Sequence, residues 1–122
     1  MRTVPIDKLK EFFSRRQDIV FAVIFGSGRD GVLNDGSDLD IGIYFAKPPA
    51  AEELLDLMAA ISEAAGVDEI DLVDLFRADP ILAFEAVSGR FLCKNDPDRT
   101  AAAVSLISRE YEDVMWRLGH AA

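Results

Sequence analysis

Three aspartates in largely apolar surroundings are the residues best suited to chemistry. Asp38 and Asp40 stand two apart where a predicted strand begins, and Asp71 interrupts the apolar segment of residues 69–75. Because side chains alternate between the faces of a strand, Asp38 and Asp40 point to the same face. Two carboxylates on one face, with little basic charge nearby, are poorly placed unless a divalent cation lies between them. The acids therefore predict a metal site.

Asp71 is predicted to be the third acid of this site. A carboxylate buried in an apolar strand costs several kcal/mol without a partner, so we expect Asp71 to face a metal or an arginine. Asp74 has the opposite strand parity and lies near the strand end, where solvation is easy. We therefore assign Asp71 to the site and Asp74 to a structural role, an assignment that a bulge in the strand would reverse.

A glycine-rich segment lies between an apolar run and the first two acids. The run Ile19–Phe25 stops at Gly26, and Ser27, Gly28 and Arg29 follow it. Glycines permit close approach and leave backbone N–H groups free, which with a nearby hydroxyl make a good cradle for phosphate oxygens. Arg29 suits a phosphate contact, although an exposed ion pair with Asp30 or Asp35 is an equal alternative.

The elements that must position these residues follow from hydrophobic periodicity. Helices are predicted at residues 5–17, 50–65 and 80–88, with a long final helix that Asp96 caps and Pro97 opens. Gly66 is expected to end the second helix as a C-terminal cap. Strands are predicted at residues 19–25, 39–45, 69–75 and 91–94. This order predicts one α+β domain over residues 1–122, with a small mixed sheet of about four strands flanked by helices.

Composition limits the classes of function. The 22 acidic and 13 basic residues give a formal net charge of −9, which disfavours direct nucleic-acid binding and suits a basic protein partner, a cation-assisted site or simply solubility. Cys93 is the only cysteine, so no intrachain disulfide forms, and we expect a buried thiol. No apolar run is long enough to span a bilayer. We expect a cytoplasmic protein that does not associate with membranes.

The site residues resemble a known family. Gly26-Ser27, ten residues, Asp38-x-Asp40 and then Asp71 on a later strand are similar to the DNA polymerase β-type nucleotidyltransferases. Within them, the short chain resembles the minimal nucleotidyltransferase (MNT) antitoxins of HEPN/MNT toxin–antitoxin pairs. The segments from Ile70 to Leu75 and from Phe91 to Pro97 carry this likeness, as does the last helix. The loop departs from the usual Gly-Ser-x-Ala-Arg-Gly because Arg29 comes one place early and Asp30 follows it.

The resemblance implies a two-metal phosphoryl transfer. Asp38, Asp40 and Asp71 would be catalytic and would bind two Mg²⁺ ions, with ATP as the donor substrate. The acceptor in the MNT group is a tyrosine hydroxyl of the HEPN toxin, so the expected partner is a HEPN-type toxin in a hetero-oligomer. The residues that the resemblance implies for nucleotide binding are Gly26, Ser27, Gly28, Arg29 and Ser37.

Two alternative functions stay open beside this adenylyltransferase antitoxin. In the first, the fold neutralises a HEPN toxin by binding alone, without catalysis. In the second, the chain is a nucleotidyltransferase subunit that modifies a small molecule or nucleic acid with a separate substrate-binding chain. The retained acids favour an enzyme, whereas the altered Arg29-Asp30 loop favours a binding module.

Overall fold

The computed structural model describes residues 1–120, in which the four predicted helices and four predicted strands all occur in the predicted order, with two short strands besides. The helices are α1 (Ile6–Ser14), α2 (Ala51–Ala65), α3 (Pro80–Val87) and α4 (Pro97–Gly119), and Gly26–Gly28 form a short 3₁₀ turn. The strands are β1 (Arg2–Thr3), β2 (Ile19–Phe25), β3 (Val32–Leu33), β4 (Leu39–Phe45), β5 (Ile70–Asp74) and β6 (Arg90–Lys94).

The main sheet has four strands in the order β5-β4-β2-β6. β4 and β5 are parallel, whereas β2 is antiparallel to both β4 and β6. The mixed sheet and the α+β class predicted from the sequence are confirmed. A separate antiparallel ribbon of β1 and β3 was not predicted, because strands of two residues leave no periodic pattern in a sequence.

The sheet is packed between two helical layers, with β2 at its centre. All seven residues of β2 are buried, as expected for a strand covered on both faces. On one face, Ile24 and Ile41 share a core with Phe13 of α1 and Ile61 of α2. On the other, Val23 and Phe25 share a core with residues that include Ala86 of α3 and Ala103 of α4.

The helix ends follow their local chemistry. Gly66 ends α2 with a positive φ of 67°, and the Asp96 carboxylate accepts the Arg99 N–H at the start of α4, so both predicted caps are confirmed. α1 stops at Ser14, earlier than the predicted residue 17. A residue distant in sequence holds the end of α1, because the Asn95 side-chain amide donates to the carbonyls of Phe13, Arg16 and Ile19.

None of the helices within residues 1–120 combines the length and the apolar character that crossing a lipid bilayer requires.

Candidate functional site

The structure brings Asp40 and Asp71 together through strand register. They are direct partners across the parallel pair β4–β5, and their carboxyl groups are close enough to share a hydrogen bond. The next residue of β4 pairs with the next residue of β5, so the contact depends on the alignment of two whole strands. Asp38 lies one residue before β4 begins, on the exposed approach to this pair.

Asp71 is exposed, and the expectation that it would be buried is wrong. The reason is the strand order, because β5 forms an edge of the sheet and the start of an edge strand meets solvent. Asp71 therefore does not need a partner to offset desolvation. Its relevance to the site comes from its position beside Asp40.

Asp40 is the electrostatically perturbed member of the group. Burial raises the pKa of Asp40 to about 6, helped by the charge of Asp71, a hydrogen bond with Asp71, and the charges of Asp38 and Glu85. Each of these causes disfavours the ionised carboxylate. Within residues 1–120, no lysine or arginine forms an ion pair with Asp38, Asp40 or Asp71.

The donor chemistry of this cluster fits a divalent cation. Carboxylate oxygens are the ligands that Mg²⁺ prefers, and an added cation would offset the mutual repulsion that raises the pKa of Asp40. The three acids are nevertheless not gathered into a ready-made ligand set, since no group of three His, Cys, Asp or Glu side chains among the described residues has that arrangement. Asp40 and Asp71 form the core of the site, and Asp38 lies within electrostatic reach.

The glycine-rich turn at the end of β2 lies directly beside Asp40. Phe25 is the register partner of Asp40, and Gly26 follows with a φ of +66° that L side chains rarely adopt. A Cβ atom on Gly26 would lie 2.3 Å from Oδ2 of Asp40. Glycine is therefore required here both for the turn and for the closeness of the carboxylate.

The other predicted nucleotide-contacting residues are spread over this turn and the loop after it. Ser27 and Arg29 are exposed beside Gly26. Gly28 is buried, and a Cβ there would meet Leu39 Cδ1 at 2.8 Å, so this glycine serves core packing. Ser37 immediately precedes Asp38, and its N–H donates to the Asn34 carbonyl.

The ion pair considered for Arg29 does not form. Asp35 is paired with the N-terminal ammonium at 2.9 Å, and Arg29 takes part in no ion pair within residues 1–120. The turn is closed by the Arg29 N–H, which donates to the Gly26 carbonyl at 3.5 Å. The N–H groups of Ser27 and Gly28 take no part in that closing bond.

Two further charged residues, one near Asp40 and one beside the loop, were missed from the sequence. Glu85 of α3 contributes to the raised pKa of Asp40. Arg90, the first residue of β6, donates from its guanidinium to the Arg29 carbonyl at 3.5 Å. Both are far from the acids and the loop in sequence, so only the packing of α3 and the pairing of β6 with β2 could reveal them.

Asp74 and Cys93 take structural positions. Asp74 accepts a hydrogen bond from the Phe76 N–H at 3.2 Å at the end of β5, and it pairs in register with Ile43 rather than with Asp40. Cys93 is buried, and burial raises the pKa of its thiol, which opposes formation of a nucleophilic thiolate.

A partly open pocket lies away from the acids. It has a volume of about 120 Å³ and lies at the opposite end of β4, where Tyr44, Phe76 and Arg99 are among its lining residues. Asp38 and Asp71 are instead exposed. A ligand at the acid cluster would therefore be held mainly by charge and hydrogen bonds.

Comparisons with known proteins bear on the family of the chain. A family model described as "Polymerase beta, Nucleotidyltransferase" matches residues 7–98, which include all three acids and the glycine-rich turn. No curated protein matches the chain at a significant level.

Several solved structures share the fold. The chain shares 24% sequence identity with a chain in a crystal structure of a toxin–antitoxin with AMP-PNP. The TM-score is 0.71, and the alignment covers 94% of each chain. The chain is 26% identical to a mutant of the toxin–antitoxin MntA–HepT, with a TM-score of 0.66 and coverages of 93% and 89%. A complex of a tri-AMPylated Shewanella oneidensis HEPN toxin with MNT antitoxin is 22% identical, with a TM-score of 0.64 and coverages of 93% and 92%.

Proposed function

The chain belongs to the polymerase beta nucleotidyltransferase family, and we propose that it transfers AMP from ATP to a tyrosine hydroxyl of a HEPN-type toxin. The observation that carries this proposal is the contact between Asp40 and Asp71 in strand register, directly beside the turn that begins at Gly26. Paired carboxylates can hold divalent cations that offset the charge of a triphosphate, and the turn beside them has backbone N–H groups that suit phosphate oxygens.

Asp38, Asp40 and Asp71 are the residues that would hold two Mg²⁺ ions. Bound Mg²⁺ would supply charge neutralisation for the triphosphate and activation of the acceptor hydroxyl. Asp71 is exposed at an edge strand, so it is accessible to an acceptor that arrives from outside. Asp71 can take the proton of the acceptor hydroxyl as its oxygen bonds to the α-phosphorus of ATP and pyrophosphate leaves. Ser27 and the N–H groups of the turn orient the phosphates, which is positioning rather than covalent chemistry.

A protein acceptor is supported by the structural relatives and by the open site. The similar structures are of toxin–antitoxin pairs, and one of them contains a HEPN toxin carrying three AMP groups. The acid cluster of this chain has exposed carboxylates, so an acceptor would have to contribute part of the binding surface itself. A folded partner presenting a tyrosine meets that requirement.

The test is the intact mass of the partner after incubation with this protein, ATP and Mg²⁺. A HEPN-type toxin offered as the acceptor should gain one or more AMP units with the wild type and none with Asp71→Ala. Asp56→Ala is the matched control, because it removes an equally exposed acid on α2 outside the site, and it should act as the wild type does. A partner that binds but gains no mass with any nucleotide would contradict the enzyme proposal.

A binding module is the second candidate function, favoured by two observations. Asp30 follows Arg29 in the loop, and the three acids are not gathered into a ready ligand set within residues 1–120. In that case the chain would neutralise the toxin by complex formation alone. A toxin that is inhibited equally by wild type and Asp71→Ala, without any mass gain, would support it.

A further inference from the structure

Arg90 is placed at the glycine-rich loop by the tertiary fold. It is the register partner of Ile24, two residues before Gly26, and its guanidinium donates to the Arg29 carbonyl at 3.5 Å. Gly89 makes this approach possible, because a Cβ there would lie 2.5 Å from the Ile24 carbonyl oxygen. Arg90 therefore lies beside the loop through a close packing of β6 against β2.

A cation beside the loop matters for nucleotide binding because the nearby acids carry negative charge. Glu85 adds a fourth carboxylate to those of Asp38, Asp40 and Asp71. A nucleotide triphosphate brings several more negative charges, so bound metal ions alone leave the terminal phosphates in a negative field. Arg90 is exposed, and its one hydrogen bond to protein within residues 1–120 is at the 3.5 Å limit, which leaves most of its donors available.

We infer that Arg90 binds the terminal phosphates of the nucleotide, from the β6 side of the loop. The inference rests on the proposed function and adds a binding residue to it. A guanidinium presents paired N–H donors that match phosphate oxygens, and it keeps its charge at all relevant pH values. Arg90 thereby adds a cationic contact from β6 to the one that Arg29 offers within the loop.

A purely structural role makes a different prediction. If Arg90 only braced the loop through the Arg29 carbonyl, its loss would loosen the turn that holds the phosphates, and it would also lower the melting temperature of the nucleotide-free protein. A contact to the terminal phosphates instead weakens the binding of ATP, spares AMP, which lacks those phosphates, and leaves that melting temperature unchanged. The ligand comparison together with the melting temperature of the nucleotide-free protein therefore separates binding from bracing.

The experiment is a competition titration against a fluorescent adenine nucleotide, with the full chain, Mg²⁺ and no partner. Arg90→Gln should weaken ATP binding about tenfold or more, the size expected for one charge-assisted phosphate contact, and AMP binding by less than about twofold. Arg90→Lys keeps the charge without the paired donors and should fall between. Arg109→Gln, an exposed arginine on α4, is the matched control and should bind as the wild type does.

The outcomes separate this inference from the proposed function. ATP affinity unchanged in Arg90→Gln overturns the inference alone, as does an equal loss for ATP and AMP. A wild type that binds no ATP in Mg²⁺ overturns the proposed function and the inference together. Melting temperatures verify folding, and the charge-retaining Arg90→Lys supplies the comparison if Arg90→Gln is unstable.

Discussion

Asp40 couples the protonation of the site to the folding of the chain. The pKa of Asp40 is raised from its ordinary 3.8 to about 6, first by burial and then by Asp71. The folded state therefore holds this proton more tightly than the unfolded state does. The resulting stabilisation is fully present below pH 3.8 and is lost as the pH rises through about 6.

Replacing Asp40 by asparagine should remove this pH dependence. Asp40→Asn cannot ionise, and its amide can still donate a hydrogen bond to Asp71. Without divalent cations, the variant should match the wild type near pH 4 and exceed its melting temperature by a few degrees near pH 7.5. Thermal denaturation at both pH values, with Asp56→Asn as control, measures the difference. A gap of the same size at both pH values would refute the assignment.

Mg²⁺ or Mn²⁺ should stabilise the folded protein by offsetting the repulsion among the acids. At a concentration of about 100 times the dissociation constant, ligand linkage adds about 2.7 kcal/mol, which corresponds to a rise of several degrees in melting temperature. Asp38→Asn should abolish the response. Protons compete for Asp40, so the wild type should need more metal at pH 5.5 than at pH 7.5. Equal responses of wild type and Asp38→Asn would count against the site.

At the scale of elements, the site is a junction of three strand ends. β2 ends at the turn, whereas β4 and β5 begin at the acids, and Gly26 lies against the Asp40 carboxylate. No local sequence pattern specifies this junction, because it depends on β5 lying parallel beside β4 after the intervening helix α2.

Gly26→Ala should damage the site beyond its cost to the fold. Its positive φ costs an L residue about 1–2 kcal/mol, and the new Cβ would also collide with the Asp40 carboxylate. Gly66→Ala is the matched control, because its φ of 67° imposes similar strain with nothing within 4 Å. Both variants should unfold at lower denaturant concentration, and only Gly26→Ala should lose the metal response in thermal melts. Retention of that response would separate Gly26 from the site.

Strong local signals explain which elements were predictable. The apolar run of β2 and the helix cap at Asp96-Pro97 each depend only on residues that are adjacent in sequence, and both were predicted correctly. The exposure of Asp71 was not, since it depends on which strand forms the sheet edge. Arg90 and Glu85 were missed for the same reason, because each reaches the site only after distant segments pack together.

At the scale of the whole molecule, binding of a partner and catalysis should be separable. The acids occupy one end of the sheet, whereas exposed apolar side chains such as Trp116 and Leu118 lie on the last turns of α4. The net charge of −9 favours encounter with a basic partner, and a single substitution at one of the acids changes that charge little.

Asp71→Ala should therefore bind the HEPN-type partner with a dissociation constant within about threefold of the wild type, the range expected when no buried interface anchor is removed. Isothermal titration calorimetry without nucleotide measures this. Raising the salt concentration should weaken wild type and variant alike, because screening acts on the whole charge distribution. A complex that is lost in Asp71→Ala but kept in Asp56→Ala would place the acid cluster inside the interface.

The position of β6 in the sheet has a consequence for biosynthesis. β2 is buried along its whole length, yet one of its two neighbours, β6, is made only after β4, β5 and α3. Until then β2 presents an open edge, and the Asn95 amide that holds the end of α1 is also missing. Unpaired apolar edges promote association between chains, so nascent chains that end before Arg90 should depend on chaperones.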